Sequence, residues 1–358
     1  MLDIDIPTIG IEEEHFIVRQ DDNNALHDLS PTEADELIRL VGSKLAPEYK
    51  ACQIEIRTDP STSGDTLYRD LTETRDAARA TLQKIGLDLF TQSTHPFGSA
   101  RHYPARAGER YRNIEARMGI AVRQLLACGL HVHVGTFDNQ DLSVRRLKQM
   151  WPITPLLIAS NASSRWFEGQ DTEWASYRRV LLLGLDAQVP PMVANRREYD
   201  AYLSQQYALG AAESPRDIWV DIRPGSNGLK TVEYRAADIS SNAADNVALS
   251  VLLQGLEWVA RKYNLFNVVM SQNSWQLIDK SCRLAAKHGM SANVFNAYVG
   301  QVQTLQEFAE YMLRIAREGI MNCGNSDWLP KVHRLFRLPE TSPVIHPSQL
   351  KLEEILSD

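Results

Sequence analysis

Five short segments place carboxylates, imidazoles and guanidinium groups at alternate positions. "GIEEEH" sets Glu12 and Glu14 two residues apart, "QIEIR" carries Glu55, "LHVHVG" carries His131 and His133, "WVDIRP" carries Asp221 and Arg223, and "TVEYRAAD" carries Glu233 and Arg235. Residues two apart lie on one face of a strand. If these strands are neighbours, Glu12, Glu14, Glu55, His131 and Glu233 converge. Like charges 4 Å apart repel by about 1 kcal/mol even in water, so such a cluster calls for a cation. Several carboxylates with an imidazole suit Mg2+ or Mn2+. Mg2+ commonly bridges protein carboxylates to nucleotide phosphates. Arg223 and Arg235 add planar donors for phosphate or carboxylate. Cations, carboxylates and arginines together point to phosphoryl transfer. No glycine-rich phosphate loop occurs, so a nucleotide would be held through metals and arginines. Paired histidines also occur in zinc hydrolases, but no further His or Asp cluster accompanies this pair. Taken singly, each strand Glu or His is an ordinary surface or structural residue, and the signal lies in their coincidence.

The elements that carry these residues share one pattern. Ile54 and Ile56 oppose Gln53, Glu55 and Arg57. Val132 and Val134 oppose His131 and His133. Val220 and Ile222 oppose Trp219, Asp221 and Arg223, while Glu13 points away from Glu12 and Glu14. One apolar and one polar face per strand predicts an α+β fold: an antiparallel sheet with helices packed on one side. Residues 9–18, 53–57, 130–135, 218–223 and 230–236 are expected to be strands of that one sheet. Ser30, Pro31 and Glu33 form a capping box with a favoured proline. Helical spacing predicts further helices at 64–85, 108–127, 141–150 and 243–263. A long one is expected at 291–318, with Phe295, Tyr298, Val302, Leu305, Phe308 and Met312 as its apolar stripe.

The chain has 358 residues, 44% hydrophobic and 23% charged, enough for a sizeable core in one large domain or two tightly joined ones. Its net charge of -7 argues against a generic nucleic-acid binder. No apolar run approaches the roughly 20 residues that span a bilayer, and the acidic start lacks the basic and apolar regions of a signal peptide. Cys52, Cys128, Cys282 and Cys323 are far apart and read as free thiols of a reducing cytoplasm.

Six motifs, "TIGIEEEHFIV", "THPFG", "GLHVHVG", "GQDTEWASYR", "WVDIRP" and "TVEYRAADIS", stand in the order and spacing of the bacterial carboxylate–amine ligases. The chain resembles this family of small relatives of glutamate–cysteine ligase, within the glutamine synthetase-like superfamily. The match runs over roughly residues 8–265, and residues 266–358 match poorly. The resemblance implies a curved antiparallel sheet whose concave polar face is the active site, backed by helices. One catalytic domain would span residues 1–358, with a divergent helical C-terminal part at 266–358. The implied reaction is ATP-dependent. A carboxylate is phosphorylated, an amine attacks the acyl phosphate, and an amide forms. The partners would be small-molecule carboxylate and amine substrates, with no nucleic acid or membrane, and the resemblance leaves room for a homodimer that no sequence feature demands.

Position by position, the resemblance makes Glu12, Glu14, Glu55, His131 and Glu233 metal ligands, with Glu48 in "PEYKACQIE" a further carboxylate on a looser alignment. Arg235 would contact the transferred phosphoryl group. Arg178 and Arg223 would clamp a substrate carboxylate or phosphate, and His133 and Asp221 would support the ligands from behind. Ser281, Cys282 and Lys287 replace an Asn-Arg pair and a later Arg usual in the family. Two readings remain beside the ligase: another metal-dependent phosphotransferase or amidohydrolase on the same sheet, and a non-catalytic small-molecule-binding relative.

Overall fold

In a computed structural model of the chain, residues 5–20, 24–136, 140–185, 188–226, 228–266 and 270–336 are described. Eleven strands occur among them: β1 (Ile9–Arg19), β2 (Leu45–Pro47), β3 (Gln53–Arg57), β4 (Leu87–Phe90), β5 (Gly129–Gly135), β6 (Trp166–Phe167), β7 (Gln170–Asp171), β8 (Ile222–Pro224), β9 (Thr231–Asp238), β10 (Asn293–Asn296) and β11 (Gln301–Thr304). Seven form one sheet in the order β2-β3-β1-β5-β9-β8, with β4 also paired to β1. Every pairing is antiparallel. This is the expected α+β architecture, and all five site-bearing segments contribute to it.

The apolar faces bury Ile9, Ile11, Ile54, Ile56, Val132, Val134, Val232 and Tyr234. Helices Gly64–Gln83, Gln140–Met150, Thr154–Ser160 and Ala243–Tyr263 cover them. The last of these lies between the sheet and helix Leu305–Asn322, which is why its buried residues run all round it from Asn246 to Ala260. The Ser30 capping box forms as expected, with both reciprocal hydrogen bonds present.

Glu13 shows how the sheet fixes its polar side. It points into the apolar layer, fully buried, where Arg75 grips it with two hydrogen bonds of 2.7 and 2.9 Å and Asn246 adds one of 2.6 Å. Burial works to raise this carboxyl, but the charge of Arg75 and the His15 ring overcome it and hold it at about 2. With Glu13 anchored from behind, Glu12 and Glu14 are held on the opposite face. Arg75→Ala would strand a buried carboxylate and is expected to cost about 3–5 kcal/mol of stability. A wild-type urea midpoint in that variant would contradict the anchoring role.

Three expectations are corrected. Residues 108–127 form two helices, Glu109–Met118 and Ile120–Arg123, because Gly119 between them sits at φ 59, a left-handed conformation that ends a helix. Residues 291–318 are not one helix. Asn293–Asn296 and Gln301–Thr304 pair as a hairpin, and helix Leu305–Asn322 begins only after the Thr304 capping box. Finally, the strand expected at 218–223 starts at Ile222. Residues 337–358, the end of the expected C-terminal part, lie outside the described residues.

Candidate active site

The register of the sheet decides which polar residues meet. Glu14 lies opposite Glu55, and Glu12 lies between Arg57 on one side and His131 on the other. His133 lies opposite Glu233, which in turn faces Arg223. Directly opposed side chains sit about 4.5–5.5 Å apart at Cβ, so three neighbouring rungs gather eight acidic, basic and imidazole side chains without any loop. The β5–β9 register shifts between Leu130 and Val132, a bulge beside His131 that sets Arg235 against it. Bulges of this kind re-aim side chains.

This polar face floors a cavity of about 480 Å3. Glu12, Glu14, Glu48, Glu55, His131, His133, Glu233, Arg178, Arg223 and Arg235 all line it. Asp221 does not. It is buried in an ion pair with Arg179, because the backbone before Ile222 has not yet entered the strand, so the alternation assumed for "WVDIRP" fails at Asp221. Ser281 and Cys282 are buried on helix Gln272–His288, and Lys287 points at Glu173. None of the three lines the cavity.

Three sets of donors lie with their ligand atoms within 4.8 Å of one another: Glu12, Glu55 and His131; Glu12, His133 and Glu233; and Glu14, Glu48 and Glu55. Glu48 joins through "PEYK" just before β3, although the sequence offered little to place it. Burial raises the Glu48 carboxyl well above its usual range, and the charges of Glu14 and Glu55 raise it further. Burial and the Glu12 charge raise Glu55 as well, and burial dominates at Glu14. Carboxyls pressed together in this way are relieved by a divalent cation held among them. The donor set, oxygen-rich with imidazole at its edge, fits Mg2+ or Mn2+.

The basic groups divide the cavity. Arg223 spends its guanidinium on Glu233, at 2.7 and 3.0 Å, and on the carbonyls of Pro215, Arg216 and Ile218. It therefore holds Glu233 and the 215–218 segment in place. Arg235 also bonds Glu233 but keeps 19% of its side chain exposed, against 8% for Arg223. Burial would raise Glu233, yet the charges of Arg223 and Arg235 hold it well below the ordinary carboxylate range. His131 is pushed down to about 4 by burial and by Arg235, so at neutral pH its ring is uncharged and able to ligate a metal. His133 rises despite burial because Glu12 and Glu233 favour its charged form.

Sequence reasoning missed the far wall. Tyr49, Tyr111, Ile114 and Trp219 line the cavity and belong to a small apolar cluster apart from the main core. Only tertiary packing brings residues 49, 111 and 219 together. Arg57 shares the face of Glu55 in the strand pattern and bonds it, a partnership its position in "QIEIR" already allowed.

A family model described as glutamate-cysteine ligase family 2 matches residues 8–337. The chain belongs to that family. The match extends past residue 265, into the region whose sequence carries none of the six motifs. A protein of Jannaschia sp. named "Putative glutamate–cysteine ligase 2" is 29% identical over 337 residues, covering 92% of this chain and 86% of its own. A Rubrobacter xylanophilus protein named "Putative glutamate–cysteine ligase 2-3" is 29% identical over 321 residues, covering 87% and 85%. Among solved structures, glutamate–cysteine ligase from Francisella tularensis in complex with AMP superposes with a TM-score of 0.67 at 12% identity, over 94% of this chain and 83% of that one. A bifunctional glutathione synthetase from Pasteurella multocida gives 0.64 at 13% identity, over 98% of this chain and 50% of that one. At such low identity these two establish a shared fold. No helix among the described residues is long and apolar enough to cross a membrane.

Proposed function

We propose that this member of glutamate–cysteine ligase family 2 is an ATP-dependent carboxylate–amine ligase that forms an amide, with the side-chain carboxyl of a glutamate-like substrate as the acid. The observation that carries the reading is the gathering of three carboxylate and imidazole donor sets beside Arg235 in one cavity. A binding module has no use for so many mutually repelling carboxylates. Family membership and the names of the relatives support the same chemistry.

In this reading a carboxylate oxygen of the substrate attacks the γ-phosphorus of ATP, and the bond to ADP breaks. The amine nitrogen then attacks the acyl carbon, and phosphate leaves with the oxygen it gained. Divalent cations held by Glu12, Glu14, Glu48, Glu55, His131 and Glu233 would neutralise the phosphates and the attacking carboxylate. Arg235 meets the negative charge spread over the transferring phosphoryl group. Arg178, seated on the carbonyls of Arg235 and Ala237, binds an anionic substrate group, and Arg223 keeps Glu233 aimed.

ADP release in the presence of Mg2+, L-glutamate and a panel of amines tests this directly. Release is expected only when nucleotide, cation, carboxylate and amine are all present. Release that ignores the amine, or amide cleavage with no nucleotide, would replace the ligase with a phosphohydrolase or an amidohydrolase.

A further inference from the structure

Arg178 reaches the cavity from the seven-residue helix Tyr177–Leu183, outside the sheet. A long side chain on so short a helix needs neighbours that fix its direction. Two sheet residues that face one another across the β5–β9 ladder, Gly129 and Asp238, provide them. Asp238 is fully buried and does not line the cavity. Its Oδ2 accepts from the Ser163 N–H at 3.0 Å and from the Ser164 hydroxyl at 2.7 Å, while its Oδ1 accepts from the Ser176 hydroxyl at 2.8 Å. The Ser164 oxygen then accepts the backbone N–H of Arg178 at 3.0 Å. One carboxylate thus ties the residue that opens the helix, Ser176, to the segment that receives its first turn. The guanidinium of Arg178 donates to the carbonyls of Ala237 and Arg235, each at 3.2 Å, so its seat is on the strand that carries Asp238.

Gly129 supplies the room. A Cβ at this position would overlap Nη2 of Arg178 and lie 2.8 Å from its Cζ. The obstructed atoms are the far end of a flexible side chain, so an alanine here displaces the guanidinium and not β5. The Gly129 N–H also donates to Glu14 Oε2 at 2.7 Å, which sets the same backbone against a proposed metal ligand.

We propose that Gly129 and Asp238 are positioning residues that aim Arg178 at an anionic group of the bound substrate. The proposal rests on the assignment of Arg178 as an anion-binding arginine. It is tested by calorimetric titration of Mg·ATP and of L-glutamate into Arg178→Ala, Gly129→Ala, Asp238→Asn and the two double variants with Arg178→Ala, with melting curves alongside. Gly129→Ala and Asp238→Asn are expected to weaken the same probe that Arg178→Ala weakens, by about tenfold. In the Arg178→Ala background neither substitution should have a further effect, because residues acting only through Arg178 have nothing left to position. A fold defect would persist in that background. Losses of equal size there, or wild-type affinity in both single variants while Arg178→Ala is impaired, overturn the positioning role. Wild-type affinity in Arg178→Ala itself overturns the anion assignment beneath it, which is a separate failure.

Discussion

Arg235→Lys is expected to lower turnover about a hundredfold, a loss of roughly 3 kcal/mol of transition-state stabilisation, with little change in KM for ATP. The charge on a transferring phosphoryl group is greatest in the transition state, and interactions made mainly there lower kcat without raising KM in proportion. Arg235 is suited to that role by its placement. It shares a face with Glu233, lies 3.5 Å from the His131 ring and is the more exposed of the two arginines on Glu233. Lysine keeps the positive charge and loses the planar fork. An arginine that merely pairs with a surface carboxylate is worth under about 1 kcal/mol. Steady-state rates at saturating nucleotide, cation and both substrates distinguish the two, and unchanged turnover would reduce Arg235 to a partner of Glu233.

Glu12→Gln should weaken Mn2+ binding by at least about a hundredfold, since even residues behind metal ligands cost 10–100-fold when replaced. Glu12 takes part in two of the three donor sets. It lies 3.4 Å from His131 Nδ1 and 3.5 Å from His133 Nε2, between the two imidazoles. Those rings draw its carboxyl well below the usual range although burial works the other way, so at neutral pH it is ionised, as Glu233 is. The fold should survive, because glutamine keeps the shape and relieves repulsion with Glu55. Titration of Mn2+ followed calorimetrically, with a thermal melt as control, checks both halves. Wild-type Mn2+ affinity would remove Glu12 from the metal set.

Glu233→Gln is a poorer test, and the reason shows what sequence could and could not give. The strand pattern places Glu233 on the cavity face, and the structure agrees. The pattern says nothing about Arg223, which closes on Glu233 and leaves it 1% exposed. Removing that charge would leave Arg223 buried without its partner, with a stability cost mixed into any loss of activity.

Strand parity was legible because side chains alternate with a period of two whatever the neighbours are, so Glu12, Glu14, Glu55, His131, His133, Glu233 and Arg235 were placed together from sequence. Register was not legible. That Glu14 faces Glu55 and His133 faces Glu233 depends on how distant segments pair. The apolar spacing of Phe295, Tyr298 and Val302 fits a helix, but it fits a hairpin equally once Gly300 turns the chain at φ 68. Helix Gln272–His288 went unread although its signal was present. Ser271 caps it, and Trp275, Ile278, Cys282 and Ala285 form its buried stripe. In the aromatic wall, Tyr49 and Tyr111 had no local signal, and the parity that set Trp219 beside Arg223 did not show that the three meet, which they do only through packing.

On the ligase path a substrate carboxylate is phosphorylated before an amine displaces the phosphate. Isotope transfer reads this step most directly. L-Glutamate labelled with 18O in its side-chain carboxyl, incubated with ATP, Mg2+ and an amine that supports ADP release, should yield phosphate carrying one labelled oxygen for each amide formed. Phosphate whose new oxygen comes only from the solvent would contradict an acyl-phosphate path and leave water as the acceptor of the phosphoryl group.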